Sequence, residues 1–365
     1  MDRRRAIKAG LGAAMGWAAA PLFGAEGSQP EKRQPLGVAL VGLGRYATGQ
    51  LAPALQETRW CKLAGIVTGT PEKARQWQAR YGLPKENIYN YETFDEIAHN
   101  PAIDIVYVVL PNSMHAEYVI RAAKAKKHVI CEKPMAVTVK QCQNMIDACR
   151  DHGVQLSIGY RLHFEPHTQE MMRLGQKKVY GAVKTITAQD GMAIGDPNQW
   201  RLKKALAGGG PLMDVGIYCV QAACYVTGEK PVSIESATLK EGSGPAFAEV
   251  EEELAWTMRF PSGALAECLT SYARRLNLLD VHAEHGRFML QPAYSYRGIQ
   301  GKTPKGPMSF PQVNQQALQM DDFASCILEG RPTRVPGEMG LRDVRLLQAI
   351  YEAAATHQAV ALHWS

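Results

Sequence analysis

At 365 residues the chain is long for one domain and ordinary for two. An apolar fraction of 46% is that of a soluble protein able to bury a large core. The formal charge of +6 is modest and partly concentrated in Arg3, Arg4, Arg5 and Lys8; no basic stripe with interleaved aromatics follows, so a nucleic-acid partner is not indicated.

Residues 1–25 read as a targeting segment. A basic start, Asp2-Arg3-Arg4-Arg5-Ala6-Ile7-Lys8, leads into a Gly- and Ala-rich apolar run, Ala9 to Phe23. The pattern resembles a twin-arginine export signal with Arg3-Arg4 as the pair, although Ala6 stands where an aromatic residue is usual. The run is short for a transmembrane span. The mature chain is therefore expected in the periplasm, exported folded and free of the membrane; an uncleaved N-terminal anchor is the alternative. Residues 26–35 form a short polar linker or arm. The eight cysteines form no C-x-x-C pair and no His cluster joins them, so they read as small core residues and no metal site is expected.

From residue 36 to 158 short apolar runs alternate with amphipathic stretches. The runs are Gly37 to Val41, Cys61 to Val67, Ile103 to Val109, His128 to Cys131 and Val154 to Ile158. Helical periods cover Glu72 to Tyr81 and Ala116 to Ala125. Such alternation predicts a parallel sheet covered on both faces, with ligands beyond the carboxyl ends of its strands. After Gly159 the texture changes to long alternating strands: Val183 to Gln189, Val232 to Lys240, Glu251 to Phe260 and Ala264 to Tyr272. Phe260-Pro261-Ser262-Gly263 is a hairpin turn signal. Leu341 to Thr356 is an amphipathic helix with Val344, Leu347, Ile350, Tyr351 and Ala354 on one side, expected to pack back on the first domain. The reading is thus α/β: an N-terminal Rossmann dinucleotide-binding domain, 36–158, and a C-terminal α+β domain, 159–365, with a large, mostly antiparallel sheet. An exposed face of that sheet implies a homo-oligomer, dimer or tetramer.

The chemistry begins at Gly42-Leu43-Gly44-Arg45-Tyr46-Ala47, directly after the first strand. Its glycines allow a tight turn and close approach of a pyrophosphate to backbone N–H groups at a helix N-terminus. The second strand ends in Thr68-Gly69-Thr70-Pro71-Glu72-Lys73. A carboxylate at the strand end would favour NAD by binding both ribose hydroxyls. Here Thr68 and Thr70 can donate to a 2′-phosphate and Lys73 can neutralise it, which favours NADP; the alternative makes Glu72 the ribose ligand. Leu110-Pro111-Asn112-Ser113 ends the third main strand, facing the nicotinamide half, and His115 follows, by type more often a structural partner than a catalyst.

His128-Val129-Ile130-Cys131-Glu132-Lys133-Pro134 puts a lysine at a carboxyl strand end, beside the dinucleotide. A positive nicotinamide and partial burial are both expected to lower the Lys133 pKa toward proton transfer near neutrality. A Gly run read as flexible, Gly208-Gly209-Gly210, opens a helix on which Asp214 and Tyr218, four residues apart, share a face. A carboxylate and a phenol displayed together suit binding and deprotonating a sugar hydroxyl.

These segments together resemble the Gfo/Idh/MocA oxidoreductase family, and within it the glucose–fructose oxidoreductases, over essentially the whole mature chain. Glu132-Lys133-Pro134 is similar to the family signature, and Asp214 with Tyr218 to its second catalytic element. Gly159-Tyr160-Arg161 with His163, Gln199-Trp200-Arg201-Leu202, and Asp343-Val344-Arg345 add to the match. The resemblance implies Lys133, Asp214 and Tyr218 as catalytic residues. It implies a nucleotide site formed by Gly42, Leu43, Gly44, Arg45, Tyr46, Thr68, Gly69, Lys73, Leu110, Pro111, Asn112, His115, Glu132, Lys133, Arg161, Trp200 and Arg201. It also implies tightly bound NADP, with NAD second. Hydride would leave C1 of an aldose, giving a lactone, and then reduce a second sugar such as fructose to sorbitol. An aldose–aldose pair, or a conventional sugar dehydrogenase, is the alternative. The short arm departs from the longer, Pro-rich arm of the glucose–fructose enzymes.

Overall fold

The first sheet is all parallel, in the order β3-β2-β1-β4-β5-β6. Its strands are β1 (Leu36–Val41), β2 (Cys61–Val67), β3 (Ile88–Tyr89), β4 (Ile105–Val108), β5 (His128–Cys131) and β6 (Leu156–Ile158). β1 is buried along almost its whole length, as a strand covered on both faces must be. The order reverses between β1 and β4, which makes their carboxyl ends the ligand crevice of an open α/β sheet. This computed structural model describes residues 34–364, apart from Gly195 and Ser243. The export signal expected in residues 1–25, and most of the arm, lie outside the described residues.

Three helices follow the strands: α1 (Pro71–Tyr81), α2 (His115–Lys124) and α3 (Val139–Asp151). The first and third begin where the chain supplies a start. Pro71 occupies the first turn of α1. The Thr138 hydroxyl accepts from the Gln141 backbone N–H to cap α3.

The second sheet has nine strands in the order β14-β13-β12-β11-β7-β10-β9-β8-β15. They are β7 (Val183–Gly191), β8 (Ser233–Lys240), β9 (Glu253–Arg259), β10 (Leu265–Ser271), β11 (Leu276–Ala283), β12 (Gly286–Leu290), β13 (Gly301–Thr303), β14 (Gly306–Pro307) and β15 (Val360–Ala361). All neighbours are antiparallel except β7 with β10. Helices α4 (Pro166–Gln176) and α5 (Ile217–Thr227) accompany it, and α5 is buried along its whole length apart from its last residue.

Two later helices serve the first sheet. α6 (Gln315–Glu329) lays Ala317, Met320, Phe323 and Ala324 against Val38, Leu40 and Tyr107. The Asp321 carboxylate accepts from the backbone of Trp60 at 2.7 Å, and Gln319 donates to Tyr107 Oη at 3.0 Å. α7 (Gly337–Thr356) starts at β6, where Ile158 N–H donates to Val335 O at 2.8 Å. A Cβ on Gly337 or Gly340 would lie 2.8 Å from Ile146 or Met135, so these glycines set how closely α7 approaches the first domain. The same helix also packs on β8.

Among the described residues no helix is long and apolar enough to cross a membrane, and no group of three metal-ligating side chains stands together. All eight cysteines are buried and unbridged.

Replacing Phe323, 1% exposed, by alanine removes a large ring between α6 and the first sheet. The expected cost is about 3–5 kcal/mol. Leu318→Ala, one turn away on the exposed side at 40%, should fall within about 0.5 kcal/mol of the parent. Urea denaturation of both variants measures the difference.

Candidate active site

β5 ends at Cys131 and delivers Glu132 and Lys133 to the crevice. Glu132 N–H donates to Val108 O at 3.0 Å, and its Oε1 accepts from Tyr107 Oη at 2.7 Å. A Cβ on Gly159 would lie 2.6 Å from that carboxylate, so only glycine leaves room for it. Burial raises the Glu132 carboxyl, and the Tyr107 hydroxyl and Lys133 offset only part of the rise. The Lys133–Pro134 peptide is cis.

Lys133 Nζ donates to the backbone oxygen of Asp214 at 2.6 Å and lies 3.4 Å from its Oδ1. The other carboxylate oxygen of Asp214 accepts from Arg201 Nε at 2.8 Å and from Tyr272 Oη at 3.0 Å. The Lys133 and Asp214 side chains are 11% and 14% exposed. Lys133 Nζ stands 4.7 Å from the centre of the Tyr218 ring, and the Arg161 guanidinium 5.1 Å from it. Asp214 and Tyr218 share a side because a π-helical turn, Leu212–Gly216, runs straight into α5. A wide turn of this kind recurs at functional sites.

The Gly208–Gly210 run is tight rather than flexible, which corrects the sequence reading. Gly208 has φ +82°, a Cβ on Gly209 would lie 2.1 Å from Tyr351 Oη, and one on Gly210 2.7 Å from Glu251 O. The Glu251 carboxylate accepts from Gly210 N–H (3.0 Å), Leu212 N–H (3.2 Å) and Tyr351 Oη (2.7 Å), fixing the start of the turn that carries Asp214.

The electrostatics of Lys133 also depart from expectation. Burial does push the amine down, but the Tyr218 phenol, Asp214 and Glu132 outweigh it and hold Lys133 above its ordinary value. Burial pushes Asp214 up, yet Arg201, Lys133 and the Tyr272 hydroxyl outweigh it and hold the carboxyl at about 2. The pair is an ammonium facing a carboxylate.

The nucleotide candidates divide. Gly42 has φ +96°, and a Cβ there would lie 2.5 Å from Val109 O, so the turn after β1 requires glycine. Gly44 has no heavy atom within 4 Å of a Cβ position, and Arg45 is exposed beside it, whereas Leu43 is buried beneath. That open-faced turn at a helix start fits a pyrophosphate. Lys73 Nζ donates to Leu43 O at 3.3 Å, which brings the cation to the same turn. Thr68 and Gly69 lie at the end of β2, where Thr68 Oγ1 accepts from Thr70 N–H at 3.2 Å. Glu72 turns outward to Arg75 and Gln76 instead. Tyr46 reaches inward and packs on Tyr296 at 5.9 Å. Leu110 and Pro111 border the crevice at the end of β4, and Asn112 Nδ2 donates to Ala207 O at 2.8 Å, tying that loop to the segment before the Gly run.

The remaining candidates lie away from the Gly42 turn. His115 is fully buried, its two ring nitrogens 2.8 Å from Leu110 O and 2.9 Å from Pro134 O. It joins the two loops and presents nothing to a ligand; burial lowers its pKa against the pull of those carbonyls. Arg161 is 3% exposed and spends its guanidinium on Tyr294 O at 2.6 Å, Ser295 O at 3.3 Å and Gln315 Oε1. Arg201, with Trp200 stacked on it at 4.7 Å, serves Asp214. Both arginines belong to the Lys133–Tyr218 cluster rather than to the Gly42 turn. Sequence reading missed Tyr272, which bonds Asp214, and Tyr296, 4.4 Å from Arg161. Tyr272 directly follows β10, and that strand-end position is the one signal that could have flagged it.

Residues 36–160 match the oxidoreductase family with an NAD-binding Rossmann fold, and residues 168–289 match the GFO/IDH/MocA C-terminal domain. The chain belongs to the Gfo/Idh/MocA oxidoreductase family. Among members of this family, the D-xylose 1-dehydrogenase [NADP(+)] of Haloarcula marismortui is 31% identical, over 90% of this chain and 93% of that one. The D-glucoside 3-dehydrogenase of Escherichia coli is 28% identical, over 90% and 98%. The crystal structure of an aldose–aldose oxidoreductase from Caulobacter crescentus, complexed with glycerol, superposes with a TM-score of 0.88 at 45% identity, covering 90% of this chain and all of that one.

Because the folded Asp214 carboxyl sits near 2, below its unfolded value of about 4, its contribution is present above pH 4 and lost as pH falls toward 2. Between pH 5 and pH 2 the parent should lose roughly 2–3 kcal/mol more stability than Asp214→Asn. Urea titrations across that range test it; parallel curves would contradict the assignment.

Proposed function

We propose that this chain is a sugar oxidoreductase that holds NADP and passes hydride from C1 of an aldose to a second sugar. The observation that carries the reading is the buried Lys133–Asp214 pair beside the Tyr218 ring, at the carboxyl end of a nucleotide-binding sheet. Similarity to the Caulobacter aldose–aldose enzyme supports an aldose as the second sugar, in place of the ketose of the glucose–fructose oxidoreductases. NADP is favoured over NAD by Lys73 at the Leu43 turn and by Glu72 facing away from it.

When bound, the nicotinamide supplies the two-electron acceptor and donor. The protein positions the sugar and handles its proton. Lys133, held as an ammonium by Asp214, donates a hydrogen bond to the reacting oxygen and stabilises negative charge there. Tyr218, on the same side, takes the hydroxyl proton as the phenolate during oxidation and, as the phenol so formed, returns it during reduction. Asp214, anchored by Arg201 and Tyr272, fixes the direction of the lysine and orients the sugar. Export through a twin-arginine signal would carry the folded chain with its nucleotide to the periplasm, where free dinucleotide is scarce. The open sheet face is the surface for a homo-oligomer. Small sugars are its other partners; neither nucleic acid nor a membrane enters the proposal.

The purified protein should show a change in the reduced-nicotinamide band on adding glucose without free NADP, reversed by a second aldose. Reversal only by fructose would favour the ketose acceptor, and dependence on added NADP would favour the conventional dehydrogenase suggested by the Haloarcula relative. Replacing Lys133 by Met should lower turnover by roughly 10²–10⁴-fold while leaving bound nucleotide in place. Undiminished turnover would remove Lys133 from the mechanism.

A further inference from the structure

A second carboxylate stands beside the cluster and has no part in the roles above. Asp190, near the end of β7, is 8% exposed. Its direction is fixed by its neighbours in the sheet. In the ladder it lies between Thr270 of β10 and Asn277 of β11, and side chains at paired positions share a face. Thr270 Oγ1 donates to Pro211 O at 3.2 Å, just before the π-turn of Asp214. On the other side Asn277 Oδ1 accepts from the backbone N–H groups of Ala293 (2.6 Å) and Tyr294 (2.8 Å), and its Nδ2 donates to Ser295 Oγ at 3.1 Å. Asp190 therefore points between the Asp214–Tyr218 segment and the 293–295 segment, whose rings Tyr218 and Tyr294 stack 6.1 Å apart.

Its two neighbours spend their polar atoms on holding those segments, but Asp190 does not. The Gly191 backbone N–H donates to its carboxylate, and among the described residues no side chain does. Lys133 and Arg161 are near enough to favour its charge, and Asp214 opposes it. Burial dominates and pushes the carboxyl up to about 7. A buried carboxylate with one backbone donor is left short of partners, which is costly, and an apolar or amide side chain would pack the same strand position at less cost. Its remaining acceptor positions match the chemistry of a polyol, whose hydroxyls donate readily to a carboxylate.

We propose that Asp190 is a substrate-contacting residue whose carboxylate accepts hydrogen bonds from sugar hydroxyls and thereby sets the requirement for a hydroxylated ligand. This rests on the sugar-binding part of the function proposed above. It assigns Asp190 to recognition and leaves proton transfer to Tyr218 and charge stabilisation to Lys133. A site that hydrogen-bonds a hydroxyl rejects the analogue lacking it, because a buried polar group is then left unpaired.

The test is a double-mutant cycle between protein and sugar, read by calorimetric binding rather than by turnover. The proteins are the parent, Asp190→Asn and Asp190→Ala, each with its nucleotide content measured. The ligands are D-glucose and its 2-, 3- and 4-deoxy derivatives. In the parent, loss of one particular hydroxyl should weaken binding by about 10-fold or more. In Asp190→Ala the same deletion should cost almost nothing, and Asp190→Asn should fall between. A purely structural role would weaken all four sugars alike and leave the discrimination intact, which would overturn the proposal, as would failure of the parent to bind any of them. Coupled binding without hydride transfer would uphold Asp190 and reject the redox reading. Hydride transfer without coupling would do the reverse.

Discussion

The contact on which the site depends is the bond from Lys133 Nζ to Asp214 O, with the Asp214 carboxylate beside it. It joins the end of a parallel strand to the first turn of a helix that belongs to the other half of the chain. A buried ammonium is stable only with its hydrogen bonds satisfied and a counter-charge close by. Asp214 supplies both, and is itself held by Arg201 and Tyr272. Removing one member leaves an unpaired charge in a nearly closed site, so the cluster behaves as a unit. Glu251, gripping Gly210 and Leu212, stabilises the backbone from which Asp214 projects.

Five of the six parallel strands were legible as apolar runs separated by amphipathic helices; β3, two residues long, was not. β7 to β10 were legible for a different reason, alternation across a sheet with one buried face, clear in β9 and most of β10 and broken in β8 by an irregularity between Ile234 and Ser236. The later strands were not. β11, Leu276 to Ala283, has three partly exposed residues, then three buried ones that include Asp280, and so shows no period of two. α6 was hidden by Gln315, Gln316 and Gln319, polar residues on its buried side. Those glutamines are spent on Arg161, Tyr46 and Tyr107, so a break in the apolar stripe marks support for the site. α5 is almost wholly buried and therefore has no amphipathic signature.

At the site itself, the residue types were legible and their environments were not. Glu132-Lys133-Pro134 and the Gly42 turn carry local signals. The counter-charge that keeps Lys133 protonated comes from Asp214, and no local window relates the two. Counting only burial and the nicotinamide left out the Tyr218, Asp214 and Glu132 neighbours that raise its pKa. Arg161 and Arg201 were assigned to the nucleotide by segment; their partners, Gln315 and Asp214, hold them beside the Lys133–Tyr218 cluster, a placement no segment reveals. The Gly208–Gly210 run is required by the close approach of Tyr351 and Glu251, a constraint set by residues far along the chain.

The charge state of Lys133 bears directly on the proposed exchange between two sugars. An amine that lost its proton during oxidation would have to recover it before the next reduction. An ammonium clamped by Asp214 instead keeps one state throughout and works as a fixed donor to whichever oxygen occupies the site. In the proposed exchange the mobile proton would belong to Tyr218, whose phenolate gains it from the first sugar and whose phenol gives it to the second. Oxidation of an aldose to a lactone releases one hydride and one proton, and reduction of an aldose to an alditol consumes one of each. A site that retains both between the two half-reactions completes the cycle without drawing a net proton from solvent. The buried setting of the Lys133–Asp214 pair suits that exchange better than it suits a dehydrogenase that must discharge a proton at every turnover.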